Sequence, residues 1–313
     1  MIWLWQISWA KHNEKNMHII FKNMALAIVL SLSVTACANV PQQDFPTTVT
    51  KVSAFNDVNA AVTALNKRYG ADQVLIVSDI DNTLLTSTSD LGGDIWYQWQ
   101  RGKLAIKPTE DEKVACLFED TIGLLYELAP MQLTEQNVPA LIRNWQQQGN
   151  TMVALTSRAP KYRAATEREL ERRGIDFTPS ALAPLGASAP VFKEMREREV
   201  SYMEGILMTS GLNKGEMLNG ILDKMQRKFK AIVFVDDSQH NIDNMFDAFK
   251  NRNDVDMQIF HYDKVEADRE AKYGSVLTQQ QADKMASDWK MLSNTLNRIF
   301  PARALNSSCL SVN

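Results

Sequence analysis

Short apolar runs alternate with amphipathic stretches over most of the chain from residue 56 onward. The apolar runs contain β-branched residues and lie at 73–78, 151–156, 206–208, 231–235 and 256–261. Uninterrupted runs of this length predict strands that are buried on both faces of a parallel sheet. Stretches with helical spacing lie between or beside them, at 56–69, 135–148, 161–173, 214–228, 242–250 and 278–299. The alternation predicts an α/β fold with a Rossmann-like, mostly parallel sheet.

A long segment separates the first two of these strands. Its residues 111–128 carry apolar side chains at helical spacing, which predicts a helix there. We therefore predict one domain over 56–313 that contains a mainly helical insert at about 86–133. Trp96 and Trp99 lie at helical spacing within this insert. They either face a planar substrate or pack the insert against the core, and the sequence leaves both open.

The N-terminal region has the pattern of a bacterial export signal. Residues 24–36 form an uncharged apolar run, too short for the roughly 20 residues of a membrane span, and end in small residues. The run continues into Cys37 through Val34-Thr35-Ala36, which resembles the lipobox of bacterial lipoproteins. We predict a signal peptide at 1–36 and a polar, proline-containing tether at 37–55.

The resemblance to the lipobox implies that Cys37 becomes the lipid-bearing first residue of the mature protein. Ala38 in the next position, rather than aspartate, implies an outer-membrane anchor facing the periplasm. The alternative is an ordinary secretory signal with an incidental cysteine. A start at Met17 instead of Met1 gives a shorter and more typical region before the apolar run.

The composition of the chain limits which partners and metal sites we expect. A formal net charge of −3 and a pI near 5.9 provide no overall positive field, so we expect no nucleic-acid partner. The four histidines and three cysteines are too scattered for a zinc cluster. Once Cys37 is set aside, Cys116 and Cys309 either form a disulfide or remain free thiols, and the sequence leaves both possibilities open.

Polar side chains follow three of the apolar runs, where a parallel sheet places its ligands. They are Asp79 and Asp81, then Thr156 and Ser157, then Asp236 and Asp237. Crowded carboxylates repel one another, and a divalent cation commonly offsets the repulsion. A set of oxygen ligands favours Mg²⁺, while hydroxyl groups and Lys214 suit the oxygens of a phosphate.

These residues resemble the four motifs of the haloacid dehalogenase-like superfamily, in the order that the superfamily has them. The motifs are Asp79-Ile80-Asp81-Asn82-Thr83, Thr156-Ser157, Lys214, and Asp236-Asp237 with Asn241. Together with the export signal they resemble a bacterial lipoprotein branch of the superfamily and, more distantly, its exported acid phosphatases. The resemblance implies Mg²⁺-dependent hydrolysis of a small phosphate monoester, with the insert at 86–133 as a cap over the site.

The resemblance assigns the chemical steps to two carboxylates. It implies that Asp79 attacks phosphorus and becomes an aspartyl phosphate. It implies that Asp81 protonates the leaving alcohol and then activates the water that hydrolyses the intermediate.

The same resemblance assigns the remaining motif residues to binding. Thr156, Ser157, Lys214 and Asn82 would hold the phosphoryl group. Asp79, the backbone carbonyl of Asp81 and one acid of the last motif would hold Mg²⁺. Asp237 is preferred over Asp236 as that acid because Asn241 follows it at the family's usual interval.

Two positions depart from the pattern of the superfamily. Asn82 stands where many members have glycine, which asparagine can replace because it also adopts left-handed backbone conformations. Asn241 stands where a second acid is more frequent. Arg158, directly after Thr156-Ser157, contacts a substrate carboxylate or phosphate or lies on the surface, and the sequence leaves both open.

Two other functions fit the same residues. One is a surface-anchored binding or interaction protein that keeps the fold without turnover. The other is a phosphotransferase on the same core, which would pass the phosphoryl group to an acceptor alcohol instead of water.

Overall fold

The structure is a computed structural model that describes residues 45–302 and Cys309. The predicted signal peptide at 1–36, the predicted lipid site at Cys37 and the first part of the tether lie outside the described residues. No helix within the described ranges has both the length and the apolar character needed to cross a membrane.

The described residues form one large sheet and one small one. The strands are β1 (Thr48–Val52), β2 (Val74–Ser78), β3 (Leu85–Ser87), β4 (Met131–Leu133), β5 (Thr151–Thr156), β6 (Phe192–Met195), β7 (Glu199–Met203), β8 (Ile206–Met208), β9 (Ala231–Asp236) and β10 (Asp256–Tyr262). The large sheet has the order β1-β10-β9-β2-β5-β8-β7-β6. Its first six strands are parallel, and β7 and β6 are antiparallel at one edge. The prediction of a mostly parallel α/β sheet is confirmed.

Helices cover both faces of the large sheet. They are α1 (Phe55–Tyr69), α2 (Asp94–Gln100), α3 (Ile122–Leu128), α4 (Val138–Gln148), α5 (Arg163–Arg172), α6 (Lys214–Lys224), α7 (Gln239–Phe249), α8 (Lys264–Tyr273) and α9 (Gln279–Ile299). Successive side chains of β2 point to opposite faces, so Val74 and Ile76 pack in one core with α1 and α4. Leu75 and Val77 pack in the other core with α6 and α7. Burial on both faces explains why these strands are apolar throughout.

Three strands of the large sheet lie outside the predicted apolar runs. β1 begins at Thr48, inside the range predicted as a tether, so that prediction is wrong for residues 48–52. Four of its five residues are exposed at the edge of the sheet, so no apolar run marks the strand. β6 and β7 form a hairpin in a stretch where no element was predicted, and β6 is again a half-exposed edge strand.

Only part of the predicted helix at 111–128 is an α-helix. An α-helix is present over Ile122–Leu128 and follows a π-helical turn at Leu117–Thr121. Ahead of that turn, the side chain of Gln100 donates to the carbonyl of Glu112 and accepts from the amide of Val114. Because a side chain satisfies these backbone groups, the chain there does not need helical hydrogen bonds.

The insert is closed at its base and fixed at its far side. β3 and β4 pair antiparallel and bring its two ends together. Cys116, within the insert, forms a disulfide with Cys309, and their Cα atoms lie 5.3 Å apart. Of the two possibilities that the sequence leaves open for these cysteines, the structure shows the disulfide.

The direction in which the chain adds strands reverses at β2. From β2 the chain continues to β5 and β8 on one side, and returns to β9 and β10 on the other. Such a reversal leaves a crevice outside the carboxyl ends of the strands, where open α/β sheets bind ligands. The ends of β2 and β9 therefore meet where the sequence places Asp79 and Asp236.

A glycine lets the helix that begins at Lys214 approach its neighbour. A Cβ atom on Gly215 would lie 2.5 Å from both the Cβ of Ala248 and the carbonyl oxygen of Asn244 in α7. Only glycine fits at such a distance, so the contact between α6 and α7 depends on Gly215.

Gly215→Ala should push α6 away from α7 and displace Lys214. We expect a loss of about 1–3 kcal/mol in the free energy of unfolding, as for other overpacked sites. Gly220→Ala in the same helix is the matched control, because its Cβ would meet only the flexible end of Arg196 at 3.2 Å. That change should be neutral or stabilising, since alanine favours a helix over glycine. Urea denaturation of both variants measures the difference; equal stabilities would contradict the role of Gly215.

Candidate functional site

A buried lysine joins the ends of two neighbouring strands. Lys214 Nζ lies 2.6 Å from Asp79 Oδ1 and 2.6 Å from Asp236 Oδ2. The side chains of Lys214 and Asp236 are fully buried, and that of Asp79 is 7% exposed. Asn213 caps the start of α6 by accepting from the amide of Glu216, which fixes the position of Lys214. The lysine therefore belongs to the site that the sequence predicted.

The pKa values of Lys214 and Asp79 both lie above their ordinary values. Burial lowers the pKa of Lys214, but the charges of Asp236 and Asp79 and hydrogen bonds to both raise it more, so its pKa lies above the ordinary value. Lys214 therefore stays protonated. Burial raises the pKa of Asp79, the charge of Lys214 lowers it, and the charges of Asp236 and Asp81 raise it again. The net effect is a raised pKa, with burial as its largest cause.

A third carboxylate completes an oxygen-rich cluster. Asp79, Asp236 and Asp237 each have a carboxylate oxygen within 4.8 Å of the others. Burial and the charges of Asp94, Asp236 and Asp79 raise the pKa of Asp237 well above its ordinary value. Carboxylate oxygens are hard ligands, so the donor set fits Mg²⁺. Burial and mutual repulsion together raise the pKa of Asp79 and Asp237, and a cation there would favour their charged forms.

The two acids of the last motif differ in their partners. Asp236 accepts from Lys214, from the amide of Ser238 and from the side chain of Asn241, at 2.6 to 3.2 Å. Its oxygens are thus occupied by the protein. Asp237 is half-buried and has no such set of side-chain donors in the described part of the chain. The difference favours Asp237 as the direct ligand, although Asn241 contacts Asp236.

Asp81 is bound by Arg158 from the neighbouring strand end. The guanidinium donates from Nε to Asp81 Oδ2 at 2.8 Å and from Nη2 to Asp81 Oδ1 at 2.7 Å. The Arg158 side chain is 2% exposed and the Asp81 side chain 23% exposed. Of the two possibilities left open for Arg158, a surface position is therefore wrong. A direct contact with substrate is not what the structure shows, because the guanidinium is occupied by Asp81.

The second motif lies at the end of β5 beside these groups. Thr156 is buried, and its hydroxyl oxygen accepts from the amide of Arg158 at 3.1 Å. The hydroxyl proton remains available to donate to a ligand. Ser157 is exposed. The structure thus places Thr156 against Arg158 and gives Ser157 no contact that fixes a role.

Asn82 connects the first motif to the insert. Its φ is +55°, so it occupies the left-handed region, as its replacement of glycine implied. Its side chain donates to Asp94 Oδ2 at 3.2 Å and accepts from Thr86 at 2.8 Å. These contacts are structural links to the insert, and a contact with phosphate stays a prediction.

Asp94 is the site residue that the sequence did not single out. It begins α2 in the insert, and Asn82 and Gln98 both donate to its Oδ2. Burial raises the pKa of Asp94 to about 6; a hydrogen bond from Gln98 opposes that rise and the charge of Asp81 adds to it. Only its position in a Gly-Gly-Asp sequence before a helix could have marked it. The insert thus adds a fifth carboxylate to the site.

The insert covers the Asp81 side of the site. A narrow cleft of about 10 Å³, room for about one water molecule, lies between core and insert. Its lining includes Asp81, Asn82 and Arg158 from the core and Gly92, Gly93, Asp94, Tyr126 and Met131 from the insert. Residues of the insert and of the first motif therefore line the same cleft.

Trp96 and Trp99 do not line this cleft. They are 1% and 0% exposed and belong to the apolar core that joins the insert to the sheet. Between the two alternatives that the sequence leaves open, the structure shows packing. Neither indole N–H has a hydrogen-bond partner in the described part of the chain, so both tryptophans contribute to the structure through apolar packing.

Fold and site together define an α/β protein with a carboxylate and lysine cluster at the switch point of its sheet. The chain belongs to the family described as "Protein of unknown function (DUF2608)", which matches residues 51–301. The match includes every residue of the cluster and the whole insert.

Curated relatives come from Chlamydia. A "Putative outer membrane protein" of Chlamydia trachomatis serovar D is 21% identical over 179 residues, 57% of this chain and 65% of the relative. A protein of the same description from Chlamydia pneumoniae is 23% identical over 177 residues, 56% of this chain and 63% of the relative. The chain thus spans less than two thirds of the length of either relative.

A solved structure of a haloacid dehalogenase-like family hydrolase from Streptococcus pneumoniae aligns with 64% of this chain and 97% of its own. The identity is 12% and the TM-score 0.31. At this TM-score the alignment supports no conclusion about activity.

The raised pKa values predict how the metal-free protein responds to pH. A carboxyl group with a raised pKa binds a proton on folding, so its contribution to stability is lost as pH rises from the unfolded to the folded pKa. For Asp94 this window runs from about 4, the ordinary value, to about 6. Asp94→Asn should therefore raise the melting temperature relative to wild type above pH 6, by about 2–4 °C for each 1 kcal/mol.

The measurement is thermal unfolding in chelator at pH 4.5, 5.5, 6.5 and 7.5. Asp111→Asn, an exposed acid of the same insert, is the control and should give no trend with pH. Added Mg²⁺ should stabilise wild type most at the highest pH, where the carboxylates are ionised. A difference between Asp94→Asn and wild type that does not change with pH would contradict the assignment.

Proposed function

We propose that the domain hydrolyses small phosphate monoesters with the help of Mg²⁺, in the manner of the haloacid dehalogenase-like superfamily. The observation that carries the proposal is the group formed by Asp79, Lys214 and Asp237 at the switch point of the sheet. It combines a nucleophile, a buried cation and an open carboxylate at the place where such sheets bind ligands.

The first step uses Asp79 as a nucleophile. Lys214 binds Oδ1 of this carboxylate, and Oδ2 has no hydrogen-bond partner in the described part of the chain. Oδ2 attacks phosphorus and forms an acyl phosphate while the bond from phosphorus to the ester oxygen breaks. The leaving alcohol takes its proton from Asp81, two residues farther along the chain.

The second step returns the site to its starting state. Asp81, now a carboxylate, accepts a proton from a water molecule that attacks the aspartyl phosphate. The bond from phosphorus to Asp79 breaks, inorganic phosphate leaves, and Asp81 retains the proton for the next substrate. Lys214 offsets charge on the transferring phosphoryl group in both steps.

The cluster would hold Mg²⁺ through Asp79, Asp237 and the backbone carbonyl of Asp81. The bound cation would neutralise phosphoryl oxygens and Asp carboxylates together. Asp236 contributes differently, because it is occupied by Lys214 and Asn241 and so positions the lysine.

The narrowness of the cleft between core and insert favours a small substrate. The insert leaves only about 10 Å³ beside Asp81, so a substrate enters when side chains or the insert move. Gly92 has a φ of +83° and lies next to Gly93 in the lining of the cleft, and two adjacent glycines give the backbone the freedom for such a movement. A closed insert would exclude water during transfer and strengthen the electrostatic interactions of the site.

Asp79→Asn should abolish turnover of p-nitrophenyl phosphate, because an amide cannot form an acyl phosphate. Asp81→Asn should lose about 10²–10⁴-fold, the usual contribution of a general acid and base. Asp243→Asn, an exposed residue of α7, is the control and should keep wild-type activity. Beryllofluoride should bind to wild type and not to Asp79→Asn, as seen by ¹⁹F NMR.

The same assay separates the other functions. If the wild-type protein turns over none of a panel of phosphate esters in Mg²⁺ but binds one of them saturably, the domain is a binding protein. Phosphoryl transfer to added glycerol in excess of hydrolysis would indicate a phosphotransferase. Near-wild-type activity of Asp79→Asn would exclude Asp79 as the nucleophile.

We also propose that the domain is anchored in the cell envelope by a lipid on Cys37. The lipobox-like sequence supports this, and the description of the chlamydial relatives as outer membrane proteins agrees with it. A single acyl chain binds a membrane only weakly, and stable anchoring takes several, as lipoprotein processing provides.

Cys37→Ser should prevent lipidation, so the protein should leave the membrane fraction or remain unprocessed. Ser33→Ala, in the apolar run of the signal, is the control and should fractionate like wild type. Mass spectrometry of the N-terminal peptide checks for the lipid. An unmodified N-terminal peptide and unchanged membrane association of Cys37→Ser would disprove the anchor.

A further inference from the structure

Arg158 makes no hydrogen bond to Asp79, Lys214 or Asp237, but its guanidinium is almost fully hydrogen-bonded to other residues. Four of its five N–H groups have partners: Nε and one on Nη2 bind Asp81, the other on Nη2 contacts Met131 Sδ at 3.2 Å, and one on Nη1 donates to Thr166 at 2.9 Å. The ring of Tyr126 covers the guanidinium, with Cζ 4.0 Å from the ring centroid. A side chain so occupied has little left with which to bind a substrate.

The partners of Arg158 come from three parts of the fold. Asp81 follows β2, Thr166 lies in α5, and Tyr126 and Met131 belong to the insert. The Arg158 backbone is held as well, because its amide donates to the Thr156 hydroxyl and its carbonyl accepts from Ser210. Arg158 thus has one defined position, and the planar fork of its guanidinium transfers that position to Asp81.

We infer that Arg158 is the positioning residue for Asp81 and, through Tyr126, makes proton delivery to the leaving group depend on the insert. The inference rests on the proposed function, in which Asp81 protonates the leaving oxygen. Asp81 is about a quarter exposed, with a side-chain exposure of 23%, so without its partner the carboxylate can rotate toward solvent. Both oxygens of Asp81 accept from Arg158, so the plane of the carboxyl group is held in one orientation.

Leaving groups provide a readout that a purely structural role would not change. Phenyl phosphate and 2,4-dinitrophenyl phosphate are both aryl phosphates, but only phenolate needs a proton as it leaves. The parameter kcat/KM includes the steps up to formation of the aspartyl phosphate, so it reports on delivery of that proton. A misplaced Asp81 should therefore slow phenyl phosphate far more than the dinitrophenyl ester.

The main variant is Arg158→Lys, which keeps the charge and loses the two-pronged fork. We expect kcat/KM to fall about 10- to 100-fold for phenyl phosphate, part of the ~10²–10⁴-fold contribution of a general acid. For 2,4-dinitrophenyl phosphate the loss should stay within about threefold, because its leaving group needs no general acid. Arg158→Ala should show the same selectivity with a larger loss, and full activity of Arg158→Lys would mean that charge alone matters and would overturn the inference.

A double variant tests whether the effect passes through Asp81. In Asp81→Asn the general acid is already gone, so adding Arg158→Lys should cause no further selective loss for phenyl phosphate. A selective loss that persists in this background would overturn the inference.

Two further variants separate position from stability. Arg163→Lys changes a half-buried arginine that bonds to Ser201 and Glu167 away from the cleft. It should reduce stability without selectivity between the esters. Thr166→Val removes one partner of Arg158 and leaves the ion pair intact. In this variant kcat/KM should fall about two- to fivefold more for phenyl phosphate than for the dinitrophenyl ester, because general-acid catalysis is weakened but not lost. Thr166→Val also tests the inference if the Arg158 variants do not fold.

The outcomes also distinguish the inference from the proposed function. If wild type hydrolyses neither ester in Mg²⁺, the proposed function fails. If wild type hydrolyses both and the Arg158 variants lose equal factors on the two esters, the phosphatase stands and the positioning role is overturned.

Discussion

The arrangement of the molecule depends on one buried lysine between two carboxylates. Lys214 can be buried only because Asp79 and Asp236 both bind it, and removal of either partner would leave an unbalanced charge in the interior. The two acids come from β2 and β9, which must therefore be neighbours. The lysine comes from the first turn of α6, which must lie against α7 at the distance that Gly215 permits. Sheet order, helix packing and site geometry are thus a single constraint.

Negative charge exceeds positive charge throughout the site. Its acids are Asp79, Asp81, Asp94, Asp236 and Asp237, and its cations are Lys214 and Arg158. Each cation serves one of the two acids that the proposed chemistry uses: Lys214 binds Asp79, and Arg158 binds Asp81. Asp94 and Asp237 have no cation of their own among the described residues, and the pKa of each is raised. The excess explains why the cluster suits a divalent cation better than a neutral ligand.

The sequence predicted the features that leave a local pattern. Buried strands are apolar throughout, so β2, β5, β9 and β10 were evident, and the polar residues that end them located the site. Edge strands such as β1 and β6 have no such pattern, because one side of each faces solvent. Arg158 and Asp94 were not assigned their contacts because these depend on how the insert folds back over β2. Tertiary packing, and not the spacing of residues along the sequence, brings the insert next to the end of β2.

The disulfide between Cys116 and Cys309 has a consequence for biogenesis. The two cysteines are 193 residues apart, and all strands of the large sheet except β1 and β2 lie between them. During synthesis the insert emerges early, but its covalent partner emerges after α9. The bond can therefore form only after the strands between the two cysteines have been synthesised. Closing so long a loop removes about 5 kcal/mol of unfolded-chain entropy, so oxidation would stabilise the folded domain by restricting its unfolded state.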